Sequence, residues 1–238
     1  MTKSIYPVIT IDGPSGAGKG TIAYRLAEHF GFNLLDSGAL YRIVGLLAFK
    51  QGILTNDILN GKTDNDFESK VAELTQSLQL DFVINKERQT VEIVIDGKPL
   101  ADDIRTETVG AYASKVATLP SVRTALLDVQ RHMASRSGLV ADGRDMGTVI
   151  FPEATAKIFL TASSVARADR RVKQLINNGK IADYDKILAE INARDEQDQN
   201  RAVAPLKPAD DALMVDSSEM NIDEVFAKCV AFIKEKMA

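Results

Sequence analysis

The sequence predicts an α/β fold: a doubly wound, five-stranded parallel sheet covered by helices, with a small α+β insertion and a helical lid. Three observations carry that expectation. Five short apolar runs, 8–11, 32–35, 138–141, 156–160 and 213–215, are each followed by a helical pattern. A glycine-rich turn joins the first run to its helix, Gly13 to Thr21. The strand–helix alternation lapses once, between about residues 61 and 105, where β-rich runs stand side by side.

The first run, Val8, Ile9 and Ile11, stops at Asp12. Gly13, Pro14, Ser15, Gly16, Ala17, Gly18, Lys19, Gly20 and Thr21 follow, with the G-x4-G-K spacing of a phosphate-binding loop between strand and helix. Glycines there let successive backbone N–H groups converge on an anion at the positive end of the helix. Gly20 stands where a hydroxyl residue usually follows the lysine, and the hydroxyl arrives one place later, at Thr21. Ile22, Leu26 and Phe30 mark the first helix, which Gly31 ends. The second strand closes on Asp36-Ser37-Gly38, and a helix follows over 39–50 with Arg42 in its first turn.

Residues 55–66 are polar and read as a loop, and 67–78 as an amphipathic helix. Two β-rich runs, 80–84 and 91–95, flank the polar turn 85–90, and Asp96-Gly97 signals a hairpin into 98–100. This meander reads as an insertion over 61–105 rather than as edge strands of the core, which would comprise 1–60 and 106–238. Helices over 107–118 and 121–136, broken at Pro120, lead to a third strand ending in Asp142-Gly143-Arg144-Asp145. The fourth strand precedes a helix over 163–177, and a polar helix spans 184–200. The fifth strand ends at Asp216, and 222–236 forms the closing helix.

A length of 238 residues and 45% hydrophobic content suit one sizeable domain with an insert. The net charge of −4 offers no field for a nucleic-acid polymer, so any polyanion must be met by local clusters. The single Cys229 excludes an intrachain disulfide, suits a reducing cytoplasm and reads as a packing residue. His29 and His132 are too few for a His/Cys zinc site, and no protein metal site is expected. The apolar run near the N-terminus is too short for a signal peptide, and nothing approaches membrane length. A cytoplasmic monomer without a membrane partner is the expectation.

Arg194, Asp198 and Arg201 share one helix face at i, i+4 and i+7. Either they form an exposed pair, or the apolar segment 202–205 docks the helix end and turns them inward; spacing leaves both open. Arg167, Arg170, Arg171 and Lys173 read as a solvated basic face. A phosphate loop together with several separate arginines points to more phosphate than one nucleotide carries. Like charges ~4 Å apart repel by about 4 kcal/mol at an effective dielectric near 20, and arginine forks offset that repulsion. A phosphate acceptor needs no strong general base; an alcohol acceptor would need one, for which Asp36 or Asp142 could serve.

Four segments carry a close resemblance to bacterial cytidylate kinases, a family of nucleoside-monophosphate kinases: GPSGAGKGT (13–21), LLDSGALYR (34–42), ADGRDMGTVIFP (141–152) and RDEQDQNRAVAPL (194–206). The resemblance implies phosphoryl transfer from ATP to CMP or dCMP, giving ADP and CDP or dCDP, with Mg2+ held mainly through the nucleotide phosphates. It places the ATP phosphates on residues 13–21 and the donor adenine near Arg170. Ser37 and Arg42 would touch the acceptor nucleotide, and Ser114, Arg123 and Asp145 would read cytosine. Arg144 and Arg201 would bind the acceptor phosphate, with Arg194 and Asp198 at its sugar and phosphate. Lys19, Arg144, Arg194 and Arg201 would be the catalytic cations. Residues 61–105 match the monophosphate-binding insert and about 177–200 the mobile lid. Thr161 stands where the family often has aspartate. Two other readings compete: a monophosphate kinase preferring UMP or AMP, and a GTP-dependent switch. The switch lacks its guanine-reading Asn-Lys-x-Asp run; Asn85-Lys86-Glu87-Arg88 has no aspartate in place.

Overall fold

The computed structural model describes residues 6–85, 90–101, 103–104, 106–135 and 137–238. The elements are β1 (Val8–Asp12), α1 (Lys19–Phe30), β2 (Asn33–Asp36), α2 (Ser37–Lys50), α3 (Asn56–Leu59) and α4 (Phe67–Ser77). Next come β3 (Leu80–Asn85), β4 (Thr90–Ile95), β5 (Lys98–Pro99), α5 (Glu107–Val116) and α6 (Pro120–Met133). The chain closes with β6 (Leu139–Gly143), a π-helical turn (Met146–Ile150), β7 (Ala156–Thr161), α7 (Ser164–Asn177), α8 (Tyr184–Gln199), β8 (Leu213–Asp216) and α9 (Ile222–Met237).

The five expected strands form one sheet in the order β2-β6-β1-β7-β8, and β3-β4-β5 form a separate sheet. β1 pairs in parallel with β6 and β7, and β7 with β8, while the small sheet is antiparallel. Each core strand runs further toward its carboxyl end than the apolar pattern alone indicates. Asp12 still pairs with Gly143, and Thr161 with Asp216, so the parallel ladder carries the polar ends inside the sheet. That register sets the ends of β1, β6 and β7 side by side, where ligands collect in open parallel sheets.

Contacts divide the chain into two compact units, Met1–Asn33 with Ser137–Ala238, and Leu34–Arg136. In the first, Ile9, Ile11, Ile22, Leu26, Leu139 and Ile158 are fully buried. Cys229 on α9 is buried there too, and burial pushes its thiol up to about 11, as a packing residue requires. In the second unit, α2 crosses α5 at Gly45, where a Cβ would lie 2.7 Å from the Tyr112 carbonyl carbon. The Phe49 and Tyr112 rings stack beside this contact with centroids 4.4 Å apart.

Local capping explains most helix starts. Thr106 accepts from the Val109 N–H, Ser163 from Ala166, and Asn221 from Glu224 within a full capping box. Three sequence expectations need correction. Residues 55–66 are not all loop: Thr55 caps the short α3. The helix expected from Ala39 begins at Ser37, because Asp36 is its cap and accepts from the Ala39 N–H at 2.9 Å. The expected break between two helices is present but falls at 117–119, and Pro120, instead of lying in it, opens α6 at its first position, where a missing N–H costs nothing. The expected turn around Lys86, Glu87 and Arg88, and the helix end at Arg136, lie outside the described residues. Among the described residues no helix is long and apolar enough to cross a membrane.

Candidate active site

In the first unit the phosphate loop leaves β1 through Gly13, at φ +149°, with its backbone against β7. A Cβ at Gly13 would sit 1.9 Å from the Leu160 carbonyl oxygen, so no other residue fits. α1 begins after Gly18 with no side chain capping its first turn. Its leading N–H groups are therefore not claimed by a side-chain cap. Lys19 is buried; its Nζ donates to Pro14 O at 3.0 Å and lies 3.8 Å from Asp142 Oδ1. Asp142 Oδ2 also borders Gly20, 3.6 Å from where its Cβ would be.

Asp12 ends β1 and reaches across to the segment after β6. Its two carboxylate oxygens accept from Met146 N–H and Gly147 N–H, each at 2.8 Å. The π-helical turn thereby starts on a buried Asp145, whose carbonyl accepts from Val149 at 2.9 Å and Ile150 at 3.1 Å. Burial raises the Asp12 carboxyl from its ordinary 3.8 to about 6; the two amides oppose that rise, Asp145 adds to it and Lys19 lowers it.

The open question over Arg194, Asp198 and Arg201 resolves inward for the carboxylate. Asp198 is buried, binds the Arg144 guanidinium, and lies 4.0 Å from Arg201 Nη1. The expected docking of 202–205 does not carry this: Ala202 and Val203 are exposed, and it is the buried Leu206 whose N–H donates to Asp198 O at 2.8 Å, while Arg201 lies past the end of α8 rather than on its face. Arg194 is half-buried on the same helix.

The basic cluster on α7 does not form a solvated face. Arg167 is only 4% exposed, donating to Ser15 O and Ala162 O, each at 3.0 Å, and to both oxygens of Asp195 on α8. Arg170 donates to Ser217 O and, at 3.2 Å, to Ser217 Oγ, which is 3.4 Å from Ala17 O in the phosphate loop. Lys173 alone of the four is exposed. The overlooked signal was position: Arg167 adjoins Ala168, which with Val172 and Leu175 makes the inward stripe of α7. A cavity of about 280 Å³ opens beside this cluster, lined by Pro14, Thr161, Arg167, Asp195, Gln199 and Leu206 among others.

The second unit holds the remaining candidates. Ser37 is buried at the first position of α2. Arg42 donates to Ile104 O at 2.9 Å and Thr106 O at 3.0 Å, and its fork faces Gly110 on α5. Ser114 Oγ donates to Gly110 O at 3.0 Å, so Arg42 and Ser114 meet around one residue. Arg123 is buried, with its guanidinium carbon 5.9 Å from the Tyr41 ring centre.

A family model for cytidylate kinase matches residues 9–235. The chain belongs to the cytidylate kinase family. A cytidylate kinase of Mannheimia succiniciproducens is 50% identical over 237 residues, spanning 100% of this chain and 99% of the relative. One from Aliivibrio salmonicida is 49% identical over 231 residues, 97% of this chain and 98% of the relative. One from Actinobacillus succinogenes is 50% identical over 232 residues, 97% of this chain and 100% of the relative. The cytidylate kinase match thus runs through both compact units and through all four motif segments.

Proposed function

We propose that the residues assembled in the two units perform direct in-line transfer of the ATP γ-phosphoryl group to the phosphate of CMP or dCMP. The transfer itself is the family's: the chain is an ATP-dependent (d)CMP kinase. The mechanistic reading rests on one observation. The phosphate-loop cation and the arginine network share the end of β6, where Asp142 lies 3.8 Å from Lys19 and two residues before Arg144.

In this reading Gly13, Pro14, Ser15, Gly16, Ala17, Gly18, Gly20 and Thr21 cradle the donor phosphates, and Arg170 borders the adenine. Ser37 and Arg42 take the acceptor nucleotide, and Ser114, Arg123 and Asp145 read cytosine, the carboxylate accepting from its exocyclic amine. Lys19, Arg144, Arg194 and Arg201 offset the repulsion between the two polyphosphates and stabilise charge on the transferring group, with Arg194 and Asp198 at the acceptor's sugar and phosphate and Asp198 beside Arg144 and Arg201. The acceptor oxygen is already deprotonated at neutral pH, so no side chain need remove a proton.

Mg2+ fits as an ion carried mainly on the nucleotide phosphates. Thr21 and Asp142 supply oxygen donors, the type a hard cation takes, but too few to enclose it without phosphate and water. When bound it would neutralise phosphate charge. Residues 61–105 would form the monophosphate-binding insert and about 177–200 a lid over a core of 1–60 and 106–238. The enzyme would work as a cytoplasmic monomer.

A phosphate-acceptor screen with ATP–Mg2+ tests the reading: CMP and dCMP turn over well, UMP and AMP poorly. Asp145→Ala costs CMP about 10–100-fold in kcat/KM and erodes its selectivity, whereas Arg201→Ala damages every acceptor. Equal turnover of AMP and CMP by the unaltered enzyme overturns the cytosine-reading set.

A further inference from the structure

The ion pair between α7 and α8, buried on its arginine side, has no role in the reaction as assigned above. Arg167 contacts three segments at once: Ala162 just past β7, Ser15 in the phosphate loop, and Asp195 on α8. Its stem lies under the loop as well, with its Cβ 3.5 Å from where a Gly16 Cβ would be. Burying a guanidinium this deeply is tolerable only with its donors satisfied, and Asp195 accepts from both terminal nitrogens.

The bond to Ser15 O has a consequence for the loop. No peptide among the described residues is cis, so each carbonyl points opposite to the N–H that follows it. Drawing the Ser15 carbonyl toward Arg167 therefore turns the Gly16 N–H the other way, out of the arginine's reach. Lys19, through Pro14 O, does the same for the Ser15 N–H. A loop that binds anions by its N–H groups needs its carbonyls held back in this manner.

We infer that Arg167 and Asp195 are a positioning pair that sets the phosphate-loop peptides for the donor and ties them to α8, which carries Arg194 and Asp198 and ends two residues before Arg201. Arg167 grips the loop, and Asp195 fixes the direction of that grip while docking α8. The pair touches neither nucleotide in the reading above, on which this inference rests. Its effect passes through the backbone: donor phosphate affinity depends on an α8 side chain outside the loop.

The test is a double-mutant cycle with Arg167→Lys, Asp195→Asn and the combination. ATP affinity is measured by calorimetry without any acceptor, and kinetics with ATP and CMP. Each single substitution is expected to weaken ATP binding about tenfold and to raise the KM for ATP more than the KM for CMP. The combination should cost no more than the worse single change. Asp195→Asn keeps size and shape at a partly exposed position, so it serves even where Arg167→Lys impairs folding. ATP affinity within twofold of wild type in Asp195→Asn, or strictly additive losses in the cycle, overturns the inference. Because the binding measurement involves no acceptor, its failure leaves the (d)CMP assignment untouched, and failure of CMP turnover leaves the binding result interpretable.

Discussion

Two aspartates end neighbouring stretches of the chain in the same way and are used in opposite ones. Asp12 closes β1 and spends both oxygens on amides 134 and 135 residues away. Asp36 closes β2 and caps the helix that starts at the next residue, accepting from an amide three residues on. The distant contact is buried and carries a raised pKa; the local one is a helix cap at a partly exposed position. Reach is the difference: a short-range bond organises one helix turn, whereas the long-range bond decides where Arg144 and Asp145 stand.

Three measurements sharpen or break this contrast. The largest effect is on pH. The folded-state pKa of Asp12, about 6 against an ordinary 3.8, means the native state holds that proton more tightly than the unfolded chain. The stability Asp12 contributes is therefore full below about pH 4 and is lost as pH rises through about 6, by up to about 3 kcal/mol. Urea titrations of wild type and Asp12→Ala between pH 4 and 7.5 should show the wild type's advantage shrinking with rising pH; a constant gap breaks the contrast. Next in size is the substitution itself at pH 7.5. Two stranded amides cost about 1–3 kcal/mol each, partly offset by the charge no longer buried, leaving about 2 kcal/mol lost. The kcat/KM for CMP should fall more than the melting temperature alone explains, since the turn bearing Asp145 loses its anchor. Smallest is Asp36→Ala, which should cost about 1 kcal/mol by chemical denaturation, the ordinary worth of a helix cap.

The same distinction governs what could be read beforehand. The five strands, their order of appearance and the phosphate loop were legible because each is written in adjacent residues: apolar runs, glycines, a lysine. The small antiparallel sheet was legible from Asp96-Gly97 and its flanking β-rich runs. The π-helical turn after β6 was not, because its first two amides are held by Asp12, 134 and 135 residues earlier in the chain. Arg167 was misread for a similar reason: next to Arg170, Arg171 and Lys173 it looked like surface, and its partners Ser15 and Asp195 lie 152 and 28 residues away. Asp198 fell between, since helical spacing put it on the right face but could not say what that face met. Pro120 and Ser37 were placed near helix starts yet misassigned within them, which is where boundary signals overlap most.

The close crossing at Gly45 has its own consequence for the second unit. With backbone against backbone and no side chain between, the spacing of α2 and α5 cannot breathe by rotamer changes. Arg42 rides on one of these helices and Ser114 on the other, both meeting at Gly110. The distance between those two side chains is therefore set by the backbone crossing itself, not by the choice of rotamers around it.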